Sequence, residues 1–296
     1  MKKVFKIIGI IAAVILVITV VFTAVILVQH NRDSKIQEED QLLMMKTDEE
    51  LIGEHLYIER EGLDPVDVNI YIRDSKENLP LVINIHGGAF VAGDADTLDT
   101  QSDRISKSWN VHVATVNYSL LKLGFSTDDM EAVIEEIKDT VKFFIRHAEE
   151  YHVDTDNIFI MGYSAGGYYA MAASMELTEE QVPIKGQILC YAFLNDMIDR
   201  LGALDEDTRE VLPPALFVLA GEEPVGGSSL KYEEALRGVG VQTEVKTYDA
   251  MHGFIEENNP EYEQLHEKNR SSKSPEGEAM ARKAEEYISD WINKVK

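Results

Sequence analysis

The run Gly162-Tyr163-Ser164-Ala165-Gly166 constrains the fold of this chain more than any other segment. An apolar run, Ile158–Met161, precedes it, and a stretch rich in small residues, Ala165–Met175, follows it. Glycines on either side of the serine permit a turn that is too tight for side chains at those positions. We therefore predict a buried strand that turns sharply into a helix, with Ser164 exposed at a helix N-terminus that favours negative charge.

The rest of the body alternates between strand and helix patterns. Short apolar or alternating runs predict strands at Val66–Ile72, Leu81–Ile85, Val111–Val116, Ile158–Met161, Gly186–Ala192, Ala215–Ala220 and Thr243–Tyr248. Helical periodicity or composition predicts helices over residues 130–148, Ala165–Met175, near Leu230–Leu236 and over Pro275–Val295. Such alternation is typical of an α/β fold whose mostly parallel sheet is covered by helices on both faces.

Two further motifs follow predicted strands. His86-Gly87-Gly88-Ala89-Phe90 comes directly after Leu81–Ile85, and its glycines allow backbone N–H groups to face a site. With the N–H of Ala165, the amides of Gly87 and Gly88 are predicted to form an oxyanion hole. His252 lies in a loop after the strand Thr243–Tyr248, where it can reach Ser164 and accept its proton. The motifs thus predict a serine nucleophile with a histidine base.

These three motifs together resemble the hormone-sensitive-lipase-like group of α/β hydrolases, also called the alpha/beta hydrolase fold-3 family, which is esterase- or lipase-like. The resemblance covers about residues 55–295. It implies the α/β-hydrolase fold and a carboxylic ester hydrolase that works through an acyl-enzyme, with a small-molecule ester as substrate. It implies no metal and no organic cofactor.

The resemblance also implies an acid between a strand end and a proline, which places Glu223 in the catalytic triad. Glu222 is its neighbouring alternative, and Asp196 is a more distant one. Two departures from the family stand out. The chain has Tyr118-Ser119-Leu120-Leu121-Lys122 where the family usually has an arginine and a proline after the tyrosine, and the interval from Ser164 to Glu223 is short. The short interval predicts a reduced cap over the site.

The N-terminus predicts a membrane anchor. Residues 7–28 carry no charge and are rich in Ile and Val, and as a helix they are about 33 Å long, enough to cross a bilayer. No small-residue cleavage pattern follows them, which favours an uncleaved span. Lys2, Lys3 and Lys6 predict a cytoplasmic stub over residues 1–6. A polar spacer, 29–52, then leads to an extracytoplasmic hydrolase domain over residues 53–296.

The net charge and the cysteine count limit which partners and which covalent cross-links the chain can have. The net charge is −25, which argues against a nucleic-acid partner. Cys190 is the only cysteine, so no intrachain disulfide forms, and its apolar surroundings predict a buried thiol. The oligomeric state stays open.

Two other functions also stay open at this stage. A serine peptidase or amidase uses the same triad, because the triad alone does not choose between ester and amide. The glutamate in the acid position and the short interval are also compatible with a catalytically silent binding protein on the membrane.

Overall fold

The described part of the chain is built around one twisted β-sheet. The computed structural model describes residues 51–122, 124–221, 226–256 and 275–296. Its strands are β1 (Glu54–Arg60), β2 (Leu63–Tyr71), β3 (Leu79–Ile85), β4 (His112–Asn117), β5 (Val153–Tyr163), β6 (Gly186–Cys190), β7 (Ala215–Ala220) and β8 (Thr243–Tyr248). β3, β6 and β7 are buried along their whole length, as expected when both faces of a sheet are covered.

The eight strands lie in the order β1-β2-β4-β3-β5-β6-β7-β8. β1 pairs with β2, and β2 with β4, in antiparallel fashion, whereas all pairings from β4 through β8 are parallel. The carboxyl ends of β3, β5, β6, β7 and β8 therefore meet at one edge of the sheet. In open α/β sheets, ligands bind in the crevice outside such an edge.

The helices that cover the sheet are α1 (Asp99–Trp109), α2 (Thr127–Arg146), α3 (Ala148–Tyr151), α4 (Ala165–Glu179), α5 (Met197–Ala203), α6 (Glu206–Glu210), α7 (Gly226–Gly238) and α8 (Pro275–Val295). Two apolar clusters divide between the faces. One contains side chains of α2, α4 and α7, and the other contains side chains of α1 and α8. The predicted α/β architecture, with a mostly parallel sheet and helices on both faces, is confirmed.

Side-chain capping sets the start of α2. Ser126 caps α2 in a reciprocal arrangement in which its side chain accepts from the Asp129 N–H and the Asp129 carboxylate accepts from the Ser126 N–H. The predicted helix over 130–148 accordingly begins earlier, at Thr127, and ends at Arg146. Between β6 and β7 the chain forms only the two short helices α5 and α6.

Several sequence predictions fall outside the described residues. These are the anchor over residues 7–28, its flanking segments, and the acid candidates Glu222 and Glu223. Among the helices that the structure describes, none is both long and apolar enough to span a bilayer.

Candidate active site

Three sequence motifs meet at the carboxyl edge of the parallel strands. His86 follows β3, Ser164 follows β5, and His252 lies in the loop after β8. β3 and β5 are neighbours in the sheet and β8 lies beyond β6 and β7, so the loop after β8 extends back along the carboxyl edge to reach Ser164. Ser164 and His252 are both partly buried, which leaves them accessible to a small molecule.

Ser164 occupies a strained turn between β5 and α4. Its backbone has φ 51° and ψ −113°, a conformation that L-residues rarely adopt. The Ser164 N–H donates to the Cys190 carbonyl at 2.9 Å, and the Ser164 carbonyl accepts from Gly167 at 3.1 Å and from Phe193 at 3.3 Å. These bonds hold the turn, so the hydroxyl stays at the N-terminus of a 15-residue helix.

The glycines of the motif are required by the close approach of backbones. A Cβ on Gly162 would lie 2.1 Å from the Gly166 carbonyl oxygen. A Cβ on Gly166 would lie 2.3 Å from the carbonyl oxygen of Ile85, at the end of β3. The elbow is therefore packed directly against the start of the His86 loop, and no larger residue fits at these two positions.

His252 contacts the serine directly. Its Nε2 lies 2.8 Å from Ser164 Oγ, which is the distance of a hydrogen bond. The ring of Tyr191, the residue after β6, packs edge-on against the His252 ring with centroids 5.0 Å apart. This geometry places the imidazole within reach of the serine proton, with Tyr191 packed against one side of the ring.

His86 contacts the glycine loop from the protein interior. It is buried, its ring stacks on Tyr118 with centroids 4.2 Å apart, and its Nδ1 lies 2.7 Å from the Gly87 carbonyl oxygen. Burial lowers the pKa of His86 to about 4, so the ring is neutral at pH 7 and donates its Nδ1 proton to that carbonyl. The role of His86 is thus to shape the loop.

Of the three amides predicted to form the oxyanion hole, one is engaged and two are not within the described residues. The Gly87 N–H donates to Glu256 Oε1 at 2.8 Å, so this predicted oxyanion-hole donor already has an acceptor. Within the described residues, the N–H groups of Gly88, Ala89 and Ala165 donate no hydrogen bond. Gly88 has φ 126° and Ala89 has φ 51°, which turns the chain sharply after Gly87.

The predicted triad acid, Glu223, and its neighbour Glu222 lie outside the described residues. Asp196, the more distant candidate, lies at the start of α5, and its carboxylate accepts from the Tyr168 hydroxyl at 3.1 Å. That contact ties Asp196 to α4.

An aromatic cluster lies beside the nucleophile. Phe90, in the glycine loop, has its ring centroid 6.3 Å from that of Phe193 and 6.0 Å from that of Phe125. It also meets Tyr168 and Tyr169 of α4 edge-on at 5.5 Å. Phe193 is 38% exposed and Phe125 is 36% exposed, so part of this cluster faces solvent next to the turn that carries Ser164.

Two residues of this site, Glu256 and Tyr191, are not among those predicted from the sequence. Tyr191 was interpreted only as part of a strand, whereas it lies beyond β6 with φ 38°. Glu256 comes four residues after His252 and has no motif of its own. Among the described residues, no three His, Cys, Asp or Glu side chains are grouped as a metal site.

Comparison with known protein families and curated proteins points in the same direction as the motifs. The BD-FAE family model matches residues 68–202. A protein of Acanthamoeba polyphaga mimivirus described as an α/β hydrolase is 26% identical, over 62% of this chain and 63% of that protein. Esterase LipI of Mycobacterium tuberculosis is 24% identical, over 60% of this chain and 66% of its own length. The chain thus spans just under two thirds of the length of both relatives.

Solved structures match a larger share of the chain. A hyperthermophilic esterase from the archaeon Pyrobaculum calidifontis superposes with a TM-score of 0.67 at 22% identity, covering 89% of this chain and 93% of the esterase. A thermostable carboxylesterase cloned from a metagenomic library gives 0.66 at 20% identity, covering 90% and 97%. The chain therefore has the α/β-hydrolase fold, and the predicted resemblance to the hormone-sensitive-lipase-like group is confirmed.

Proposed function

We propose that this chain, an α/β hydrolase similar to the hormone-sensitive-lipase-like esterases, hydrolyses carboxylic esters through an acyl-enzyme on Ser164. The single observation that carries the proposal is the 2.8 Å contact between His252 Nε2 and Ser164 Oγ on a strained strand–helix turn. The esterase relatives and the esterase structures support the same reaction class.

In the first half-reaction His252 Nε2 accepts the Ser164 proton while Oγ attacks the ester carbonyl carbon. The tetrahedral intermediate then collapses, the alcohol leaves, and it takes the proton from His252. In the second half, water loses its proton to His252, attacks the acyl carbon and releases the acid. Ser164 recovers its proton from His252, so no net charge accumulates.

The negative oxygen of each tetrahedral intermediate needs donors that are not otherwise engaged. Within the described residues, the amides of Gly88 and Ala165 meet that requirement, and the Ala89 amide is a third such group. Gly87 was a predicted donor, but its N–H is directed to Glu256, so the proposed hole consists of Gly88 and Ala165 with Ala89 beside them. The N-terminus of α4 adds positive potential at the same place.

The acid of the triad is proposed to be Glu223, on the strength of its position after β7 and before Pro224. Its carboxylate is expected to orient His252 and to stabilise the imidazolium that forms during proton transfer. Glu223→Gln should lower kcat by orders of magnitude and Glu222→Gln far less. The reverse order would assign the acid to Glu222, and loss in neither variant would direct the search to Asp196.

Substituting the nucleophile tests the proposed function. Ser164→Ala should lower the hydrolysis of p-nitrophenyl acetate by about 10⁴-fold or more without loss of folding, because the hydroxyl packs against little of the core. Ser174→Ala is the matched control, since this buried serine lies on α4 and its hydroxyl donates to the Ala170 carbonyl, away from the site. Retained hydrolysis in Ser164→Ala would refute the proposal. Turnover of peptide anilides exceeding that of esters would favour a peptidase or amidase.

We further propose that residues 7–28 anchor the enzyme in the cell membrane with its catalytic domain outside the cytoplasm. The support is the length of the uncharged run and the lysines before it. The full chain should sediment with membranes and be digested by protease added outside, whereas a chain that begins after Lys35 should stay in the supernatant and be active. Full-length protein in the supernatant would contradict the anchor.

A further inference from the structure

A buried carboxylate connects the loops of the candidate site. Glu256 is 9% exposed, and its Oε1 accepts from the Gly87 N–H at 2.8 Å while its Oε2 accepts from the Tyr191 hydroxyl at 3.2 Å. Gly87 belongs to the loop after β3, Tyr191 to the loop after β6, and Glu256 to the loop after β8. One side chain therefore bonds to two loops from a third.

This carboxylate is costly to bury. In the described part of the chain no lysine or arginine forms an ion pair with it, and burial raises its pKa above the ordinary value. The Gly87 amide, the nearby His252 and the Tyr191 hydroxyl act in the opposite direction and favour the charged form. An apolar side chain of similar size avoids the desolvation cost, so the fold alone does not require an acid here.

The contact with Gly87 has a direct consequence for the neighbouring amides. A Cβ on Gly87 would lie 2.7 Å from Glu256 Oε1, so the carboxylate packs directly over this residue. Beyond Gly87 the chain continues through positive φ angles at Gly88 and Ala89, and neither amide has an acceptor in the described structure. Gly87 is buried, Gly88 is partly buried and Ala89 is exposed. Fixing the Gly87 N–H on the inner side thus leaves the next amides on the outer side.

We infer that Glu256 is a positioning residue that fixes the glycine loop so that the Gly88 amide faces the oxyanion of the reaction. The same carboxylate accepts a hydrogen bond from Tyr191, whose ring packs against the His252 ring. It thereby also holds the aromatic ring that contacts one side of the imidazole. The inference rests on the proposed esterase function. It predicts that Glu256 stabilises the transition state more than the bound substrate, because the oxyanion exists only after attack.

Two substitutions separate the hydrogen bond from the charge. Glu256→Leu removes the acceptor at similar size and should lower kcat by about 10- to 100-fold with KM changed less than about 3-fold, a part of what complete loss of an oxyanion-hole donor causes. The affinity for a trifluoromethyl ketone, which forms a tetrahedral adduct, should fall by the same factor as kcat/KM. Glu256→Gln keeps an oxygen acceptor for Gly87 and should recover most of the loss.

The outcomes distinguish this inference from the proposed function. Unchanged kcat in Glu256→Leu, or a change confined to KM, would overturn it. A loss in Glu256→Gln equal to that in Glu256→Leu would also overturn it, because the charge rather than the hydrogen bond would then matter. If the wild type hydrolyses no ester, the proposed function fails, and amide hydrogen exchange at Gly87 still tests the loop. Exchange should be faster in Glu256→Leu than in Glu256→Gln, and equal exchange would refute the loop contact.

Discussion

At the scale of single residues, the site depends on Ser164 being held in a conformation that costs about 1–3 kcal/mol. Its N–H donates to a carbonyl of β6, and its carbonyl accepts from α4 and from Phe193. Hydrogen bonds to several elements therefore offset that conformational cost. The glycine spacing makes this turn predictable from sequence, and the position of His252 in a loop after the strand Thr243–Tyr248 makes it a candidate base. Glu256 was not predictable, because its role depends on a contact with Gly87 across 169 positions of the chain.

Phe193 is expected to influence which acyl groups the site prefers. Its N–H bonds to the Ser164 carbonyl, and its ring is 38% exposed beside Phe90. Phe193→Ala should lower kcat/KM for p-nitrophenyl benzoate about 5- to 10-fold relative to p-nitrophenyl acetate, since about 1 kcal/mol of apolar contact is lost. Val211→Ala, at an exposed apolar position after α6, is the control. An unchanged benzoate-to-acetate ratio in Phe193→Ala would contradict this role.

At the scale of elements, apolar patterns located most of the strands and the long helices, whereas α1 was missed. The reason is that its buried face is largely polar: Gln101, Ser102 and Ser106 are buried there. Ser102 bonds to Asn84 of β3 and to Thr115 of β4, so this helix packs on the sheet partly through hydrogen bonds. Only Ile105 and Trp109 are apolar on this face, too few for a pattern of apolar residues to predict the helix.

The contact between α4 and β3 makes a sharp prediction for one glycine. Gly166→Ala should destabilise the fold by at least about 2 kcal/mol, because the new Cβ collides with the carbonyls of Ile85 and His86. Thermal unfolding should show a Tm lower by about 4 °C or more. Gly227→Ala in α7 meets no atom within 4 Å and serves as the control. Equal Tm values for the two variants would show that α4 and β3 are less closely packed.

At the scale of the whole molecule, the carboxyl group of Asp94 links stability to pH. Burial raises the pKa of Asp94 from 3.8 to about 6, and the neighbouring Asp96 and Asp67 add to this effect. The folded state therefore holds the proton more tightly than the unfolded state. The stability that this proton contributes is fully present below about pH 3.8 and is lost as the pH rises to about 6.

Asp94→Asn removes this pH dependence while it keeps an oxygen to accept from the Asp96 N–H. The variant should be more stable than the wild type at pH 7 by about 1 kcal/mol, a value reduced for solvent screening, and nearly equal to it at pH 4. Urea unfolding at the two pH values measures the difference, with Asp64→Asn, at an exposed position, as the control. A stability gain that is larger at pH 4 than at pH 7 would contradict the assigned direction.

The most direct test of the central claim is covalent labelling of the folded protein with a fluorophosphonate. This reagent forms a stable adduct with a serine only where a base removes its proton and amide N–H groups donate hydrogen bonds to the phosphoryl oxygen. Intact mass and peptide mapping should locate a single adduct on Ser164, and labelling should disappear in Ser164→Ala and slow strongly in His252→Ala. Absence of labelling in the folded wild type, or an adduct on a different serine, would contradict the assignment of Ser164 as nucleophile.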